Sequence, residues 1–242
     1  MKKIYYLILL IMFICNLILA CQGNEEIKEI PCADIDCKCE KGTEEYYKND
    51  NLERCWLARP TVISDYPCAS NEVFFYDTGE LWGFWLNEPY TIRDIDLGQN
   101  TYVTLYRVGN LQSFWMHENI VVDDFRCRGN VGINFYETGQ LQKCQLYEDM
   151  QVGNYMCASS VGDGGFVSFY ESGHLEYCQM KNVETFNGIP CMKQVVYLYD
   201  NGNLKMCNIS EEVTIGNKIY PHGSKLCFDE NTNLITCPES NN

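Results

Sequence analysis

Apolar and polar residues alternate along most of this chain in short runs that are separated by turn residues. Runs such as VFFY (73–76), INFY (133–136) and VSFY (167–170) are rich in β-branched and aromatic residues, which favour strands. Each run ends in an aromatic residue and is followed by turn residues, usually with a glycine, then a polar residue and a leucine. Because D-T-G, E-T-G, E-S-G and D-N-G supply a glycine that tolerates positive φ, the pattern predicts a β-hairpin.

The hairpin phrase occurs seven times. The copies are YKNDNL (47–52), YDTGEL (76–81), YRVGNL (106–111), YETGQL (136–141), YESGHL (170–175), YDNGNL (199–204) and FDENTNL (228–234). Their leucines are 29, 30, 30, 34, 29 and 30 residues apart, so one supersecondary unit is repeated. The first copy has Asp50 in place of the glycine and the last has an extra residue near Asn231, as expected of end units.

The repeats predict an all-β fold, an extended meander of about seven tandem hairpins with a period of about 30 residues. We expect an open twisted sheet or a solenoid. A β-propeller is disfavoured, because a blade needs four strands in about 40 residues and this unit supplies two or three in about 30.

The amino terminus has the features of an export signal. Lys2 and Lys3 precede an apolar run, Ile4–Ala20, and Cys21 follows directly, which predicts a signal peptide at residues 1–20. The tetrapeptide ILAC (18–21) resembles the lipobox of bacterial lipoproteins. That resemblance implies lipidation of Cys21 and, with Gln22 beside it, transport to the outer membrane. Ordinary cleavage after Ala20, or an uncleaved anchor of about 17 apolar residues, are the alternatives.

Two further segments follow the signal. Residues 21–31 are polar and charged without apolar periodicity, which predicts a lipidated tether. Residues 32–242 carry all the repeats and contain no linker rich in proline, glycine or serine, so we expect a single hairpin-repeat domain.

Fifteen cysteines are present, and an exported chain is free to oxidise them. Pairing within repeats gives Cys39–Cys55, Cys127–Cys144, Cys157–Cys178, Cys191–Cys207 and Cys227–Cys237. Pairing between repeats gives Cys55–Cys68, Cys144–Cys157 and Cys178–Cys191. The first set leaves fewer cysteines without a partner, whereas the second has identical spacing in all its pairs, so both remain possible. In the chain-entropy model a disulfide that closes a loop of about 15 residues adds about 3 kcal/mol to the free energy of unfolding.

The chain carries 33 acidic and 18 basic residues, a formal net charge of −15. This charge disfavours nucleic acid and anionic lipid headgroups, and it either attracts basic partners or serves solubility. The run C32-x4-C37-x-C39 lacks the C-x2-C spacing of a zinc site, so a disulfide-rich cap is expected and no metal. Only His117, His174 and His222 occur, and G-x-S-x-G, H-E-x-x-H and phosphate-loop motifs are missing, so the chain is predicted to have no enzymatic activity and no cofactor.

Aromatic residues are the best binding feature. Trp82, Trp85, Trp115 and Tyr90 cluster in the units where Phe84 and Phe114 replace cysteine. Strand alternation predicts Trp82 and Phe84 on one face and Trp85 on the other. These rings either fill the core or form an exposed strip for a glycan or a protein edge.

The Y-x-x-G-x-L hairpins resemble the MORN-like repeats of bacterial proteins. The longer period, with I-x-G at 215–216 and a related F-N-G at 186–188, is similar to repeat lipoproteins of spirochaetes and related bacteria. Some MORN-like proteins act as scaffolds or surface proteins, and others are linked to toxin neutralisation. The resemblance implies a membrane-anchored envelope lipoprotein with a non-enzymatic binding or structural role, and the alternative is an immunity-type inhibitor of a protein partner. An envelope hydrolase would need a concave pocket with convergent titrating groups.

Overall fold

The computed structural model describes residues 29–32, 35–159 and 164–238. Regular secondary structure in these ranges is entirely β-strand. Nothing helical in the described ranges has the length and apolarity needed to cross a bilayer. The predicted signal peptide at residues 1–20 and Cys21 lie outside the described residues.

The strands are numbered in chain order. They are β1 Glu29–Cys32, β2 Ile35–Lys38, β3 Glu45–Tyr46, β4 Leu52–Trp56, β5 Thr61–Ile63, β6 Tyr66–Cys68, β7 Glu72–Phe75, β8 Leu81–Trp85, β9 Tyr90–Ile92, β10 Ile95–Leu97, β11 Tyr102–Leu105, β12 Leu111–Trp115, β13 Ile120–Val122, β14 Phe125–Cys127, β15 Ile133–Phe135, β16 Leu141–Gln145, β17 Met150–Val152, β18 Tyr155–Cys157, β19 Phe166–Phe169, β20 Leu175–Gln179, β21 Glu184–Phe186, β22 Ile189–Cys191, β23 Val195–Leu198, β24 Leu204–Asn208, β25 Val213–Ile215, β26 Lys218–Tyr220, β27 Lys225–Phe228 and β28 Leu234–Ile235.

Fourteen of these strands form one long antiparallel sheet. Its order is β28-β27-β24-β23-β20-β19-β16-β15-β12-β11-β8-β7-β4-β3, a meander that never closes on itself. Its hairpins turn at the repeated phrase, where Gly79 and its four counterparts have positive φ, and Asp50 takes that conformation (φ 65°) in the first copy. In the last copy Thr232 does so (φ 67°). The predicted all-β meander of tandem hairpins is therefore confirmed.

A second set of hairpins, which the sequence pattern does not predict, lies between the main ones. These pairs are β1–β2, β5–β6, β9–β10, β13–β14, β17–β18, β21–β22 and β25–β26. Each unit thus has four strands, so the expected two or three was wrong. Both central residues have positive φ in Ser64-Asp65, Arg93-Asp94 and Asp123-Asp124, which is the geometry of two-residue hairpin turns.

The core lies between the inner face of the main sheet and the short hairpins. At the centre of the sheet Cys55 pairs with Val73, Phe84 with Val103 and Cys144 with Val167, and all six side chains are fully buried. From the other layer, side chains such as Ile63, Val122 and Phe186 join the same buried cluster. Neither layer alone is able to bury its apolar side, so the two hairpins of each unit depend on each other.

The repeated tyrosines have a structural role that explains the phrase. Each hydroxyl donates a hydrogen bond of 2.8–2.9 Å to a main-chain carbonyl of the next unit: Tyr47 to Phe75, Tyr76 to Leu105, Tyr106 to Phe135, Tyr136 to Phe169, Tyr170 to Leu198 and Tyr199 to Phe228. We call this series the tyrosine ladder. The last copy has Phe228, and within the described chain no later hairpin follows that could accept a bond from a hydroxyl there.

Side chains in the turns add a second series of bonds between units. Asn51 donates to the carbonyl of Asp77 (2.7 Å), and Asn110 to that of Glu137 (2.9 Å). Asn203 donates to the carbonyl of Glu230 (2.9 Å). In these copies the polar residue before the repeat leucine therefore ties consecutive turns together along one edge of the sheet.

Three of the four disulfides in the described chain join the two layers. The bonded pairs are Cys39–Cys55, Cys157–Cys178, Cys191–Cys207 and Cys227–Cys237, with Cα–Cα distances of 5.1–5.9 Å. These four belong to the within-repeat pairing, and none of the three between-repeat pairs is formed. In the first three pairs, a cysteine at or after the end of a short hairpin meets the inner position on the second strand of the next main hairpin, whereas the fourth pair lies within the last main hairpin.

Three cysteines of the described part are buried free thiols: Cys68, Cys127 and Cys144. The predicted Cys127–Cys144 bridge is therefore absent. Interaction with the Cys144 thiol, and then burial, raise the pKa of the Cys127 thiol well above its ordinary range. Phe84 occupies the place where Cys68 would find a partner, and burial raises the pKa of the Cys68 thiol to about 12.

Candidate ligand-binding face

All four tryptophans lie on the outer face of the main sheet, which the short hairpins do not cover. In β4, β8 and β12 the inner position is Cys55, Phe84 or Phe114, and the next residue is a tryptophan that points the opposite way because strand side chains alternate. Trp56 is the most open of them, with 46% of its surface exposed. Trp82, Trp85 and Trp115 are half-buried.

A β-bulge places Trp82 on this outer face. Phe74 pairs with Gly83 whereas Phe75 pairs with Leu81, so Trp82 is the extra residue of the pair. Its ring packs against Phe74, with centroids 5.4 Å apart. The expectation that Trp82 shares a face with Phe84 is wrong, because a bulge shifts the alternation by one residue.

Three rings form a cluster across neighbouring strands. Tyr102 of β11 pairs with Trp85 of β8 on one side and with Trp115 of β12 on the other. The Tyr102 and Trp85 centroids are 5.1 Å apart, and those of Trp85 and Trp115 are 6.2 Å apart. The Tyr102 ring lies over Gly83, where a Cβ atom would come within 2.6 Å of its hydroxyl oxygen. We call Phe74, Trp82, Trp85, Tyr102 and Trp115 together the aromatic patch.

Tyr90, the fourth predicted binding residue, is not part of the aromatic patch. It begins β9 in a short hairpin, where its ring lies 5.8 Å from that of Tyr66 and packs against the core. The structure thus brings three of the four predicted residues to the outer face and leaves Tyr90 in the other layer. Phe74 was not singled out from the sequence, since its half-exposed position depends on the register of the sheet.

The strands that carry four of the five rings of the aromatic patch contain no charged residue. These are LWGFW in β8, YVTL in β11 and LQSFW in β12, and the next strand of the main sheet, INF in β15, has none either. The outer side chains beside the rings are neutral and polar: Thr104 and Ser113 hydrogen bond to each other at 2.7 Å, and Gln112 accepts a long bond of 3.4 Å from the Trp82 indole. Burial, and then the nearby charge of Glu72, raise the pKa of the Tyr102 hydroxyl.

Hydrogen-bonding groups remain available in the aromatic patch. Within the part of the chain that the structure describes, the indole N–H groups of Trp85 and Trp115 and the hydroxyl of Tyr102 make no hydrogen bond. The aromatic patch therefore offers ring surface together with unpaired donors, the combination that fixes small neutral polar ligands.

Titratable groups meet elsewhere, in an open groove of about 400 Å³ along the row of turns. His174 Nδ1 lies 2.6 Å from the carbonyl oxygen and 3.1 Å from a carboxylate oxygen of Asp200. Ser172 also donates to the Asp200 carboxylate. A catalytic triad needs the histidine between the serine and the acid, whereas here both side chains bond to the acid, so Ser172 has no base.

Metal-binding chemistry is missing from the described ranges, where no three His, Cys, Asp or Glu side chains converge as a metal site would require. A second histidine, His117, has contacts at the surface. His117 packs beside Trp115, with ring centroids 4.7 Å apart, and shares a hydrogen bond of 2.9 Å with Asn130.

No protein-family model and no curated protein matches the chain. The aromatic patch must therefore be interpreted from its own chemistry.

Proposed function

We propose that the chain is a lipid-anchored protein of the cell envelope with a non-enzymatic binding role, and that its ligand contacts the aromatic patch. The observation that carries this proposal is the group of five half-buried rings on four neighbouring strands, on a sheet face that no other part of the described chain covers. A contiguous group of partly exposed apolar side chains on an uncovered face is a feature of interaction sites.

The proposed location rests on the amino terminus and on the cysteines. The apolar run and the lipobox-like ILAC segment support export and lipidation at Cys21. Four disulfides in the folded part agree with an oxidising compartment. Intact-mass analysis of the protein extracted from membranes tests lipidation, and Cys21→Ser is expected to abolish the mass of the lipid and the membrane attachment together.

Binding is testable through tryptophan fluorescence, because all four tryptophans report on the outer face. Full-length protein in lipid nanodiscs is titrated with fragmented envelope material from the host bacterium. We expect a change in emission that Trp85→Leu and Trp115→Leu abolish and that Trp56→Leu, on the same face but outside the aromatic patch, retains. An unchanged emission spectrum in the wild type would contradict the proposal.

An inhibitor of a basic protein partner is the second candidate function, and the net charge of −15 favours it. Such a partner would associate in a strongly salt-dependent way. Contacts at the uncharged strands of the aromatic patch would show little dependence on salt. Comparing binding at low and high ionic strength therefore separates the two functions.

A further inference from the structure

The aromatic patch is neutral although the protein as a whole is strongly acidic. Four of its five rings lie on β8, β11 and β12, which together with the next strand, β15, contain no charged residue. Charges return on the flanking strands, with Glu72 beside Phe74 on β7 and Lys143 on β16. A cationic ligand would find a carboxylate only at this border, where Glu72 is already paired with Arg54 at 3.0 Å. An anionic polymer would be repelled by the net charge of −15. Charge complementarity therefore selects an uncharged ligand.

The shape of the aromatic patch disfavours a peptide strand. Peptides that extend a sheet need an exposed edge. The aromatic patch lies inside the fourteen-stranded sheet, and the two edge strands, β3 and β28, are only two residues long. A ligand at the aromatic patch must use its side groups and its apolar faces, because the main-chain groups of these strands are already paired.

Three of the rings meet across the strands. Trp85, Tyr102 and Trp115 are directly paired on three neighbouring strands, which lie about 4.8 Å apart, and the Trp85 ring contacts both Tyr102 (5.1 Å between centroids) and Trp115 (6.2 Å). The two indole N–H groups and the phenol hydroxyl, all unpaired in the described chain, belong to this cluster. A sugar ring has an apolar C–H face and a rim of hydroxyls, and it matches a ring surface flanked by such donors.

We infer that the aromatic patch binds an uncharged polysaccharide chain that crosses β8, β11 and β12 and stacks its sugar rings on the cluster of Trp85, Tyr102 and Trp115. This inference rests on the proposed function and adds the class of ligand. Gln112, Thr104 and Ser113 supply amide and hydroxyl groups beside the rings.

The first experiment uses defined probes. Full-length protein in nanodiscs is titrated with six-unit oligomers of glucose, of N-acetylglucosamine and of mannose, and with an oligomer of a uronic acid, while tryptophan emission is followed. At least one neutral oligomer is expected to change the emission, with affinity that increases from two to six units, and the uronic acid oligomer is expected to leave it unchanged. Binding of the acidic oligomer alone, or of none, overturns the inference.

Variants locate the site. Trp115→Leu is expected to weaken binding about tenfold, the loss typical of an aromatic anchor. Gln112→Glu keeps every ring and adds one charge, and it is expected to weaken binding by several-fold at most, with an unchanged melting temperature. Trp56→Leu is the matched control and is expected to bind as the wild type does. Equal affinity of all three variants overturns the inference.

A second experiment separates the class of ligand from the binding function. Envelope material is treated either with periodate, which cleaves sugars bearing vicinal hydroxyls, or with a protease. If periodate alone removes the fluorescence change, the glycan inference is supported. If protease alone removes it, the ligand is a protein, and the inference fails while the proposed binding function stands. If untreated material has no effect, both fail.

Discussion

The tyrosine ladder makes a sharp prediction about stability, and Tyr106 is the best place to test it. Its hydroxyl donates a bond of 2.8 Å to the carbonyl of Phe135, whose side chain is fully buried. Pairing between β12 and β15 ends one residue earlier, at Asn134. The Tyr106 hydroxyl therefore bonds to a carbonyl that lies just beyond the last residue of β15 paired with β12.

Tyr106→Phe removes the hydroxyl and leaves the ring in place. The net contribution of such a bond is about 1 kcal/mol, and a carbonyl left unpaired in a buried place costs about 1–3 kcal/mol. We expect a loss of about 1–2 kcal/mol in the free energy of unfolding. For a chain of this size each kcal/mol corresponds to roughly 2–4 °C in melting temperature.

The assay is urea denaturation followed by circular dichroism, with two controls. Tyr155→Phe removes a hydroxyl that makes no hydrogen bond in the described chain, and it is expected to change stability by less than about 0.5 kcal/mol. Phe228→Tyr adds a hydroxyl where no further hairpin is described, and no gain is expected. If Tyr106→Phe is as stable as Tyr155→Phe, the ladder does not hold the units together.

Three further predictions follow from the same structure. Phe84→Cys is expected to form a new disulfide with Cys68, because Phe84 occupies the position that the bonded Cys55 has in the preceding unit. If the number of free thiols in this variant does not fall on oxidation, the prediction is contradicted. Burial raises the pKa of five ladder hydroxyls above the ordinary value of 10.0: Tyr47, Tyr76, Tyr106, Tyr136 and Tyr170. Because the unfolded chain loses these protons at lower pH than the folded one, the free energy of unfolding is expected to be full below about pH 10 and to fall as the pH rises beyond it. A urea midpoint that stays constant up to about pH 11 would be the contrary result. Reduction of the four disulfides, worth about 3 kcal/mol for each closed loop of roughly 15 residues, is expected to lower the melting temperature by well over 10 °C, and identical melting curves with and without reductant would refute this.

The main hairpins were predictable from the sequence because their signals are local. A glycine with positive φ reverses the chain, the tyrosine before it and the leucine after it recur at constant spacing, and each feature acts within a few residues. Gly79 and its counterparts behave as the pattern predicts. The within-repeat disulfide pairing was partly predictable for the same reason, since a regular repeat places equivalent cysteines in equivalent positions.

The short hairpins were not predictable by the same rules. Their strands have only three or four residues, too few for an alternation to be recognised, and three of the turns that the structure describes have no glycine. Ser64, Arg93 and Asp123 adopt positive φ, which is unfavourable for these residues and is imposed by packing against the main sheet. The acidic pair Asp123-Asp124 forms one of these turns.

The composition of the aromatic patch was visible in the sequence, but its geometry was not. Strand alternation was the correct rule for Trp85 and Trp115. It failed at Trp82 because the bulge inserts a residue, and at Tyr90 because that strand belongs to the other layer. Both errors concern non-local pairing, which the order of residues within one strand does not contain.

The absence of disulfides at Phe84 and Phe114 and the presence of the aromatic patch in the same units have one physical explanation. A bridged unit obtains its rigidity from a covalent bond between its layers, so its outer face is free to carry a charged residue such as Arg54, next to the bonded Cys55. An unbridged unit must be held by packing, and here rings fill both sides of the strand, with Phe84 fully buried on the inside and Trp85 half-buried on the outside. Rings that pack against one another on an open face are held in fixed positions before a ligand arrives. A preorganised surface of this kind loses less conformational entropy on binding than one built from flexible side chains, which makes these two units the part of the repeat array best suited to recognition.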